Sequence, residues 1–539
     1  MLQVCLVAQG LLWQKVRYLQ PIHTQFFEFR IMAKPSIPKG TRDFSPVEVY
    51  KRNYIFSVIK NHFERFGYQP IETPTMENLS TLEGKYGEEG DKLLFRILNS
   101  GEYHKKIVDV FAKRISDRES WREYFKVESE NKNLSVSERL NRFNAMLNTV
   151  PERERLKSLL EETLSVFPEM KSADFTGDIS EKGLRYDLTV PFARYVVMHQ
   201  NEISFPFKRY QIQSVFRADR PQRGRYREFF QCDADVVGSK SLLNEIELSN
   251  IYHESFVKLG LTKYELKLNS RNILTALAEL CGGADKMIDI STAIDKLDKI
   301  GLDKVKEELL QRGLTQEQVA TIEQYLSISG SNVEKLAAAE KLFTGNDAAA
   351  KGLAELRYVC NHCENVNIDI DFTLARGLNY YTGVIFEAKA PAEVKMGSIG
   401  GGGRYDNLTG SFGVPDIAGV GISFGIDRIY DVMEELNLFP NDLQIGTKVL
   451  FFNLGEAESL FALKAMQELR RSGISCELFH ETAKMDKQFK YAEKKGIPFA
   501  VIIGSKEMET GNAVVKNLST AQQEAIAVNQ LSLFFHNKS

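Results

Sequence analysis

Residues 217–229 read Arg217-Ala-Asp-Arg-Pro-Gln-Arg-Gly-Arg-Tyr-Arg-Glu-Phe229, and five arginines fall within eleven residues of this stretch. The segments on either side, Arg209–Arg217 and Phe229–Val237, predict two strands that this loop joins. Guanidinium groups make bidentate, permanently charged contacts with phosphate. The loop therefore predicts a site for a polyphosphate or a nucleic-acid backbone, with Phe229 available to stack on a base. The alternative is a solvated hairpin tip.

The composition indicates a soluble globular enzyme. The chain has 539 residues, of which 43% are hydrophobic and 26% are charged. At roughly 100–200 residues per domain, this length predicts three domains or so. The proportions exclude disordered, collagen-like and coiled-coil proteins. With a net charge of −3, the chain as a whole does not attract nucleic acid electrostatically. A local basic patch could still bind RNA, so the net charge does not exclude an RNA-binding function.

Cysteine usage and hydropathy limit the compartment and the partners. Six scattered cysteines are too few for a secreted disulfide scaffold, so a reducing, cytoplasmic location is predicted. Cys360 and Cys363 form one CxxC pair without a second pair nearby, so two free thiols are expected there and no metal site. No apolar run reaches the roughly 18 residues of a membrane helix, so no membrane partner is predicted.

Three segments differ in character from the rest of the chain. Residues 1–31 hold one acidic residue and lack the charge order of a signal peptide, so they predict an unstructured N-terminal extension, with a transit peptide as the alternative. Residues 103–177 hold fourteen Lys/Arg and thirteen Asp/Glu, and their apolar residues fall at helical spacing, which predicts a charged helical insertion between two strands. Its charges are either a solvated surface or an RNA contact. Residues 270–364 predict a second helical insertion.

Periodicity also places the elements around these segments. A short strand is expected over Leu184–Leu188, after the charged insertion. Gly400–Gly403 predicts either a close backbone approach to a ligand or a tight turn. A helix is expected over residues 46–66, with an apolar stripe formed by Val49, Ile55, Phe56, Ile59 and Phe63.

The last third of the chain contains a second phosphate signal and a separate domain. A strand over Gly419–Ser423 runs into a helix over Ile426–Leu436, so Arg428 lies in a first helical turn, where the helix dipole also favours anions. Residues 437–446 have the composition of a linker. Strands and helices alternate over 447–539, which predicts a compact α/β domain with a parallel or mixed sheet.

Six ordered motifs closely resemble those of the histidyl-tRNA synthetase family, a class II aminoacyl-tRNA synthetase family. The resemblance covers residues 33–535, with 103–177 and 1–31 expected to lie outside it. The motifs are the family's opening at Lys39–Phe44, class II motif 1 ending at Pro74, motif 2 at Arg217–Phe229, motif 3 at Gly421–Arg428, and two histidine signatures at Leu374–Tyr381 and Gly402–Asp406.

The resemblance implies an α+β catalytic domain over 32–436, an antiparallel sheet flanked by helices, and a C-terminal anticodon-binding domain. It implies a homodimer built partly on motif 1. The implied reaction forms histidyl-adenylate from L-histidine and ATP, with Mg²⁺, and then transfers histidine to the 3′-terminal ribose of histidine tRNA. The implied catalytic residues are Arg217, Arg376 and Arg428; the implied ATP ligands are Arg217, Arg225, Phe229 and Arg428; the implied histidine ligands are Asp187, Thr189, Gln231, Asp235, Arg376, Tyr380, Tyr381 and Tyr405.

Three positions depart from the family pattern, and two other functions compete. Asp187 and Asp219 stand where glutamate is common, and Asn379 replaces a usual aspartate, so fine positioning is in question at Asn379. One alternative is a regulatory subunit of ATP phosphoribosyltransferase, which resembles the same core but lacks the C-terminal domain. The other is an RNA-binding module without catalysis, which does not explain the histidine signatures.

Overall fold

The structure is a computed structural model that describes residues 34–101, 179–375, 380–440, 443 and 446–538. The predicted extension at 1–31 and the predicted insertion at 103–177 lie outside the described residues. The described residues fall into two units, residues 34–42 in the first and the described residues from Asp43 onward in the second. In the described part of the first unit, the amide and the hydroxyl of Thr41 both donate to the Pro38 carbonyl oxygen and close a turn.

The strands of the described residues fall into three sheets. An eight-stranded sheet has the order β1-β5-β6-β11-β10-β9-β7-β8, a five-stranded sheet the order β13-β12-β14-β15-β16, and a three-stranded sheet the order β2-β4-β3. In chain order the strands are β1 (Gln69–Pro70), β2 (Met76–Asn78), β3 (Arg96–Ile97), β4 (Lys182–Leu184), β5 (Phe207–Phe216), β6 (Glu228–Val237), β7 (Glu265–Ser270), β8 (Ile368–Ile370), β9 (Val384–Lys389), β10 (Ser398–Arg404), β11 (Gly419–Gly425), β12 (Val449–Phe451), β13 (Cys476–Leu478), β14 (Phe499–Ile502), β15 (Asn512–Asn517) and β16 (Gln523–Ala527).

The large sheet is antiparallel at its centre and parallel at both edges. Strands β5, β6, β11, β10, β9 and β7 run antiparallel to one another, as predicted. The edge strands β1 and β8 pair in parallel with β5 and β7. The strands predicted over Arg209–Arg217 and Phe229–Val237 are confirmed as β5 and β6, so the arginine-rich loop does join two neighbouring strands.

Two long helices, Pro46–Arg65 and Leu243–Lys258, pack on one face of this sheet. Phe63 and Phe256 contribute one ring from each helix, and both rings meet Phe424 of β11, with centroids 5.9 and 5.4 Å from it. The first helix begins at a capping box in which Ser45 and Glu48 exchange hydrogen bonds. The core of the domain therefore lies between these helices and the sheet.

The predicted burial of Val49 is wrong, because this side chain is 42% exposed. The buried stripe of the first helix is set by Arg52, Ile55 and Ile59, and at helical spacing Val49 falls beside that stripe. Arg52 takes the buried position in the first half of the helix. Its guanidinium forms an ion pair of 2.6 Å with Asp427, which makes the burial of a charged side chain tolerable.

The small sheet joins the two ends of the charged segment. β4 pairs antiparallel with β3, and Arg96 lies opposite Gly183. The predicted strand over Leu184–Leu188 is largely wrong, since β4 ends at Leu184 and the following residues lead into the helix Thr189–Met198. The backbone turns there because Arg185 is drawn inward and donates to the carbonyl oxygens of Thr73 and Ser214.

The segment 270–364 was predicted to be helical, and every element that follows β7 in it is a helix or a 3₁₀ turn. It separates β7 from β8, and its buried side chains belong to the same core as the sheet. Its helices are Arg271–Leu280, Met287–Ile294, Leu297–Ile300, Leu302–Gln311, Gln316–Leu326, Asn332–Leu342 and Asp347–His362, with a 3₁₀ turn at Ala284–Lys286. The short helices Leu79–Leu82 and Gly87–Lys92, a 3₁₀ turn at Thr409–Phe412 and the helix Ile426–Glu435 are the other helical elements before residue 437.

The C-terminal domain alternates strands and helices, as predicted. β12, β13 and β14 are parallel, whereas β15 and β16 are antiparallel, so the sheet is mixed. β15 and β16, which no prediction covered, extend the sheet beyond β14. The helices are Glu456–Arg471, Met485–Lys494, Ser505–Thr510 and Leu531–His536, and the last of these follows a 3₁₀ turn at Val528–Gln530.

Gly400–Gly403 forms no turn, because all four glycines lie within β10. A Cβ on Gly402 would come within 2.1 Å of the carbonyl oxygen of Gly421 on β11, and one on Gly403 within 2.9 Å of the Tyr381 ring. The glycines therefore permit a close approach of strand to strand and of strand to tyrosine.

Candidate active site

Polar side chains cover the face of the large sheet opposite to the two long helices. Side chains alternate between the faces of a strand, so Gln231, Asp233 and Asp235 of β6 point the same way. Arg209 of β5 lies directly opposite Asp235, and Ser423 of β11 lies directly opposite Asp233. The strand register therefore gathers these groups into one buried polar cluster.

Asp235 contacts two side chains, and a glycine on the neighbouring strand leaves space for its carboxylate. Its Oδ2 lies 2.7 Å from a terminal nitrogen of Arg209, and its Oδ1 accepts a hydrogen bond of 2.5 Å from the Tyr405 hydroxyl. A Cβ on Gly421 would lie 2.0 Å from Oδ1, so only glycine leaves room for this carboxylate. Burial raises the pKa of Asp235, while the positive charge of Arg209 opposes the shift.

Asp187 enters the same cluster from the segment before the helix Thr189–Met198. Its Oδ1 accepts from the Val190 amide at 3.1 Å and from the Tyr86 hydroxyl at 3.1 Å, and its Oδ2 accepts from the Tyr380 hydroxyl at 3.0 Å. Burial raises the pKa of Asp187, and these donors together with Arg217 limit the rise.

Gln231 and Asp233 each present a buried oxygen without a hydrogen-bond partner among the described residues, namely Gln231 Oε1 and Asp233 Oδ1. Gln231 Nε2 donates to the Ser423 hydroxyl oxygen at 2.7 Å. The Ser423 hydroxyl in turn lowers the pKa of Asp233 through a hydrogen bond, although burial still raises that pKa to about 7. Two acceptor atoms thus remain open within the cluster.

Three tyrosines and Thr189 complete the surroundings of the carboxylates. The Tyr380 ring stands edge-on to those of Tyr381 and Tyr405, with centroids 5.1 and 6.1 Å away. Thr189 is half-buried and hydrogen-bonds to Tyr380. Burial raises the pKa of Tyr381, and in the described part of the chain no residue bonds to its hydroxyl. Tyr381 therefore has a hydroxyl available to a ligand.

Arg217 lies between two aromatic rings. Its guanidinium carbon is 4.3 Å from the centroid of the Tyr186 ring and 5.2 Å from that of Phe229, and its Nε donates to the Tyr186 carbonyl oxygen at 3.0 Å. These contacts hold the guanidinium plane in place and leave its terminal nitrogens for an anion. Arg217 also lowers the pKa of Asp187, which places it near the carboxylate cluster.

A cavity of about 350 Å³ adjoins the arginine-rich loop. Arg225 and Arg428 line it together, with Arg223 and Lys299 adding further positive charge. Arg428 is fixed by two bonds of 2.6 Å, from Nε to the Gly224 carbonyl oxygen and from Nη1 to that of Ser398. Arg225 lies 3.8 Å from Asp219, so its charge is only loosely paired. Asp371 and Glu387 line the same cavity.

Some predicted positions are not tested by this geometry. Arg376 and Asn379 lie outside the described residues. Cys360 and Cys363 are free thiols, and burial raises their pKa to about 12 and about 11. Among the residues that the structure describes, no group of three or more His, Cys, Asp or Glu side chains is arranged to hold a metal ion.

Sequence reasoning missed Tyr86, Arg209, Asp233 and Ser423. Period-two alternation was the available signal for two of them: Asp233 stands midway between Gln231 and Asp235 on a predicted strand, and Arg209 begins the partner strand. Tyr86 lies about 100 residues before Asp187 in the chain, and only the fold brings its hydroxyl to that carboxylate. No pattern in the chain indicates that contact.

Comparisons with known proteins agree on one family. A family profile described as "Histidyl-tRNA synthetase" matches residues 137–429, and one described as "Anticodon binding domain" matches residues 448–538. The proteins named "Histidine--tRNA ligase" from Flavobacterium johnsoniae and Bacteroides fragilis are each 49% identical to this chain over 500 and 503 residues. Those alignments cover 92% and 93% of this chain and 97% and 98% of the relatives.

Solved structures show the same fold. A histidyl-tRNA synthetase from Nostoc has a TM-score of 0.70 and 27% identity, and the match covers 94% of this chain and all of that one. A Bacillus halodurans protein described as an ATP phosphoribosyltransferase regulatory subunit/histidyl-tRNA synthetase has a TM-score of 0.59 at 18% identity, over 85% of this chain and 97% of that one. The latter likeness concerns the fold alone.

The matches correct the expected limits of the resemblance. The family profile begins at residue 137, inside the segment 103–177 that was expected to lie outside it. An alignment of 500 residues leaves too few positions unaligned to omit the whole of that segment. At least part of the charged segment is therefore shared with the relatives.

Proposed function

This chain belongs to the histidyl-tRNA synthetase family and ligates histidine to tRNA, and we propose that the polar cluster and the arginine-lined cavity described above are its two substrate subsites. The observation that carries the proposal is the set of open acceptors beside Asp235 and Asp187. Three buried carboxyl groups surround one buried arginine, so the cluster favours a ligand that brings positive charge and hydrogen-bond donors.

Histidine fits this cluster at both of its polar ends. Neutral imidazole carries one donor and one acceptor. Asp235 accepts from the donor, Tyr381 donates to the acceptor, and Tyr405 lines the ring and holds Asp235. The α-ammonium group is held by Asp187, Thr189 and Gln231, with Tyr380 fixing Asp187. A pocket of buried polar groups rejects amino acids that leave them unpaired, by up to about 10⁴–10⁵.

ATP fits the arginine side of the site. Phe229 stacks on adenine, and Arg217 contacts the α-phosphate and the substrate carboxylate. Arg225 and Arg428 hold the outer phosphates in the cavity that they line together, which bends the triphosphate. Arg376, from the histidine signature, adds a cation at the α-phosphate. This division puts the reacting carboxylate and the α-phosphate at Arg217, between the two subsites.

The chemistry is positioning plus electrostatic stabilisation. The histidine carboxylate attacks the α-phosphorus, the bond to the β-phosphate oxygen breaks, and pyrophosphate leaves. Two anions must approach each other and charge builds on the phosphates, so preorganised arginines lower the barrier without any proton transfer. A hydroxyl of the tRNA 3′-terminal ribose then attacks the adenylate carbonyl carbon and releases AMP.

Mg²⁺ is expected to enter with the triphosphate. The described residues offer no cage for a metal, and Asp371 is already committed to Lys267 at 2.6 Å. Mg²⁺ commonly binds through substrate phosphates, waters and one or two carboxylates. Glu387, Asp295 and Asp298 line the cavity and are the further carboxylates placed to take part. When bound, the ion neutralises phosphate charge.

The assembly and location of the enzyme are further parts of the proposal. We expect a homodimer, because Val47, Val49 and Tyr50 at the start of the first long helix are each at least 40% exposed. The domain at 447–539 is expected to read the anticodon of histidine tRNA. No helix in the described ranges is long and apolar enough to cross a membrane. We expect the enzyme to work in the cytoplasm.

The regulatory alternative is not supported. The relatives at 49% identity are named for the ligase, and the chain carries the C-terminal domain as well as Arg217 and Arg428. Histidine-dependent exchange between ATP and pyrophosphate tests the first step, and charging of tRNA tests the second. Exchange and charging with histidine alone among the amino acids are expected. Histidine binding without exchange would overturn the proposal in favour of the regulatory role.

A further inference from the structure

Asp233 is a buried carboxyl group that the proposed substrate contacts leave unused. Its side chain is 2% exposed, and Oδ1 has no hydrogen-bond partner in the described parts of the chain. The groups facing it are Arg209 of β5, Asp235 of its own strand, Ser423 of β11 and Asp187 from the segment before the helix Thr189–Met198. Burying an incompletely partnered carboxyl group costs free energy, so this position calls for a functional explanation.

Ser423 lies between Gln231 and Asp233. Gln231 Nε2 donates to Ser423 Oγ at 2.7 Å. A serine hydroxyl has a single proton, and because Ser423 stands directly opposite Asp233 on the β6–β11 ladder, the ionised carboxylate is the acceptor placed to receive it. We call this series of side chains, Gln231–Ser423–Asp233, the relay. With the Ser423 proton directed to the carboxylate, Ser423 Oγ can only accept from Gln231, and this fixes the orientation of the Gln231 amide.

The direction of the relay determines what Gln231 presents to a ligand. Because Nε2 is engaged by Ser423, the buried Oε1 is left as the open atom. An amide oxygen accepts hydrogen bonds from an ammonium group, whereas an amide NH₂ repels it. A reversed relay would turn the wrong end of Gln231 toward the substrate.

We propose that Asp233 is a positioning residue for the substrate ammonium group, which it serves by accepting from Ser423 and so holding Gln231 Oε1 toward the ligand. This inference rests on the proposed function, in which Gln231 contacts the α-ammonium group of histidine. Asparagine at 233 could donate to Ser423, whose proton would then go to Gln231 and reverse the amide. The charge that attracts the ammonium group would be lost as well.

Two ligands that differ only in the amino group test the relay. Histidinol carries the ammonium group and cannot be activated; its deamino counterpart is the same imidazole alcohol without it. Calorimetric affinities of both are measured at pH 8, where Asp233 is ionised, for the full-length wild type, Asp233→Asn, Ser423→Ala and a control, Ser255→Ala. Ser255 is a buried serine whose hydroxyl has no hydrogen-bond partner among the described residues, and it lies on the helix Leu243–Lys258, on the other face of the sheet.

The relay predicts that Asp233→Asn and Ser423→Ala lose roughly 10- to 100-fold in affinity for histidinol and little for the deamino compound. The control is expected to bind both as the wild type does. Equal losses for the two ligands, or no loss for histidinol, would overturn the relay. A wild type that binds both ligands equally would instead overturn the ammonium contact of the proposed function. If Asp233→Asn does not fold, Ser423→Ala carries the same test.

Discussion

Arg209 is the residue on which the charge balance of the histidine pocket depends. It is fully buried, forms an ion pair with Asp235 at 2.7 Å, and donates to Gln211 and to the Leu188 carbonyl oxygen. Around it, Asp187, Asp233 and Asp235 are buried as well. Burial raises the pKa of all three carboxyl groups despite Arg209, so a cationic ligand is favoured beside them.

Tyr381→Phe should separate histidine recognition from ATP binding. The substitution deletes one hydroxyl oxygen and little volume, so we expect the histidine KM in pyrophosphate exchange to rise about 10-fold, the value of one hydrogen bond. The ATP KM should stay nearly unchanged. Tyr264→Phe, at a buried tyrosine that bonds to His253 outside the pocket, is the matched control.

Asp235→Asn should raise the histidine KM more strongly than Tyr381→Phe, because a charge is lost. It should also lower the melting temperature, since Arg209 loses its buried ion pair of 2.7 Å with Asp235. Wild-type histidine KM in both variants would mean that the imidazole is recognised elsewhere.

The pH dependence of stability provides a separate test of the buried state of Asp233. Its folded pKa of about 7 is above the ordinary value of 3.8. Between these two values the folded chain binds more protons than the unfolded chain, so this group makes stability fall as pH rises through the window, and the loss is complete above about pH 7. Asp233→Asn cannot titrate.

As the pH rises from 5 to 8, the free energy of unfolding of the variant should therefore increase relative to that of the wild type, by on the order of 2 kcal/mol. Denaturant unfolding at the two pH values measures the difference. A constant difference, or one that favours the wild type at high pH, would show that Asp233 is not a protonated buried acid below neutrality.

Arg217 and Arg376 should both affect the chemical step more than binding. Replacement of either by alanine should lower the rate of adenylate formation on the order of 10²–10³, the usual loss for one preorganised charge donor. Histidine affinity should change less. Arg357→Ala, at an exposed arginine paired with Glu340, is the control for loss of a guanidinium group. A reduction of tenfold or less would remove the residue from the catalytic role.

The resemblance named most of the residues that the structure gathers in the polar cluster, but not their supporting contacts. Gln231 and Asp235 could be assigned because they follow motif 2 directly, on a strand with regular alternation. Arg209 and Tyr86 could not, since their roles follow from strand register and from a contact across about 100 residues of chain. Asp233 follows motif 2 by four residues and lies between Gln231 and Asp235, but only its burial and its open oxygen mark it as unusual.

Among the elements, the predictions were most accurate where the period was regular. β5, β6, β11 and the helix after β11 were predicted to within two residues. The strand over Leu184–Leu188 was placed wrongly because alternation of apolar and polar residues there does not reflect a strand. Arg185 and Asp187 are buried because their side chains hydrogen-bond to backbone groups, the Thr73 carbonyl oxygen and the Val190 amide. β15 and β16 were missed: only Ala513 and Val515 of β15 are buried, and the first three residues of β16 are exposed, so neither strand has a long apolar period.

Excision of residues 103–177 tests whether that segment is a self-contained insertion. β3 and β4 pair across it, with Arg96 opposite Gly183, so its two ends enter neighbouring strands. A short turn joining the strands should preserve pyrophosphate exchange within about threefold, because one turn can replace a connection between paired strands. The charging rate and the KM for tRNA show whether the segment contacts RNA. Loss of exchange in a folded deletion variant would show that it shapes the active site.

At the scale of the molecule, the proposal assigns activation to the residues before 437 and anticodon recognition to the C-terminal domain. The residues proposed for histidine and ATP all precede residue 437, whereas the C-terminal domain has its own cores around Phe451 and Phe452. A chain that ends at residue 446 should therefore retain adenylate formation and lose most of its tRNA charging. Melting temperature controls for folding. Equal loss of both activities in a folded truncation would contradict this division.

The central claim is that histidine is held by Asp235, Tyr381, Gln231 and Asp187 on the polar face of the large sheet. A crystal structure of the full chain with histidinol and ATP tests it most directly. The imidazole nitrogens are predicted within hydrogen-bond distance of the Asp235 carboxylate and the Tyr381 hydroxyl, with the ammonium group at Gln231 Oε1 and Asp187. Histidinol bound elsewhere, or with its ammonium group away from Gln231 and Asp187, would contradict the account.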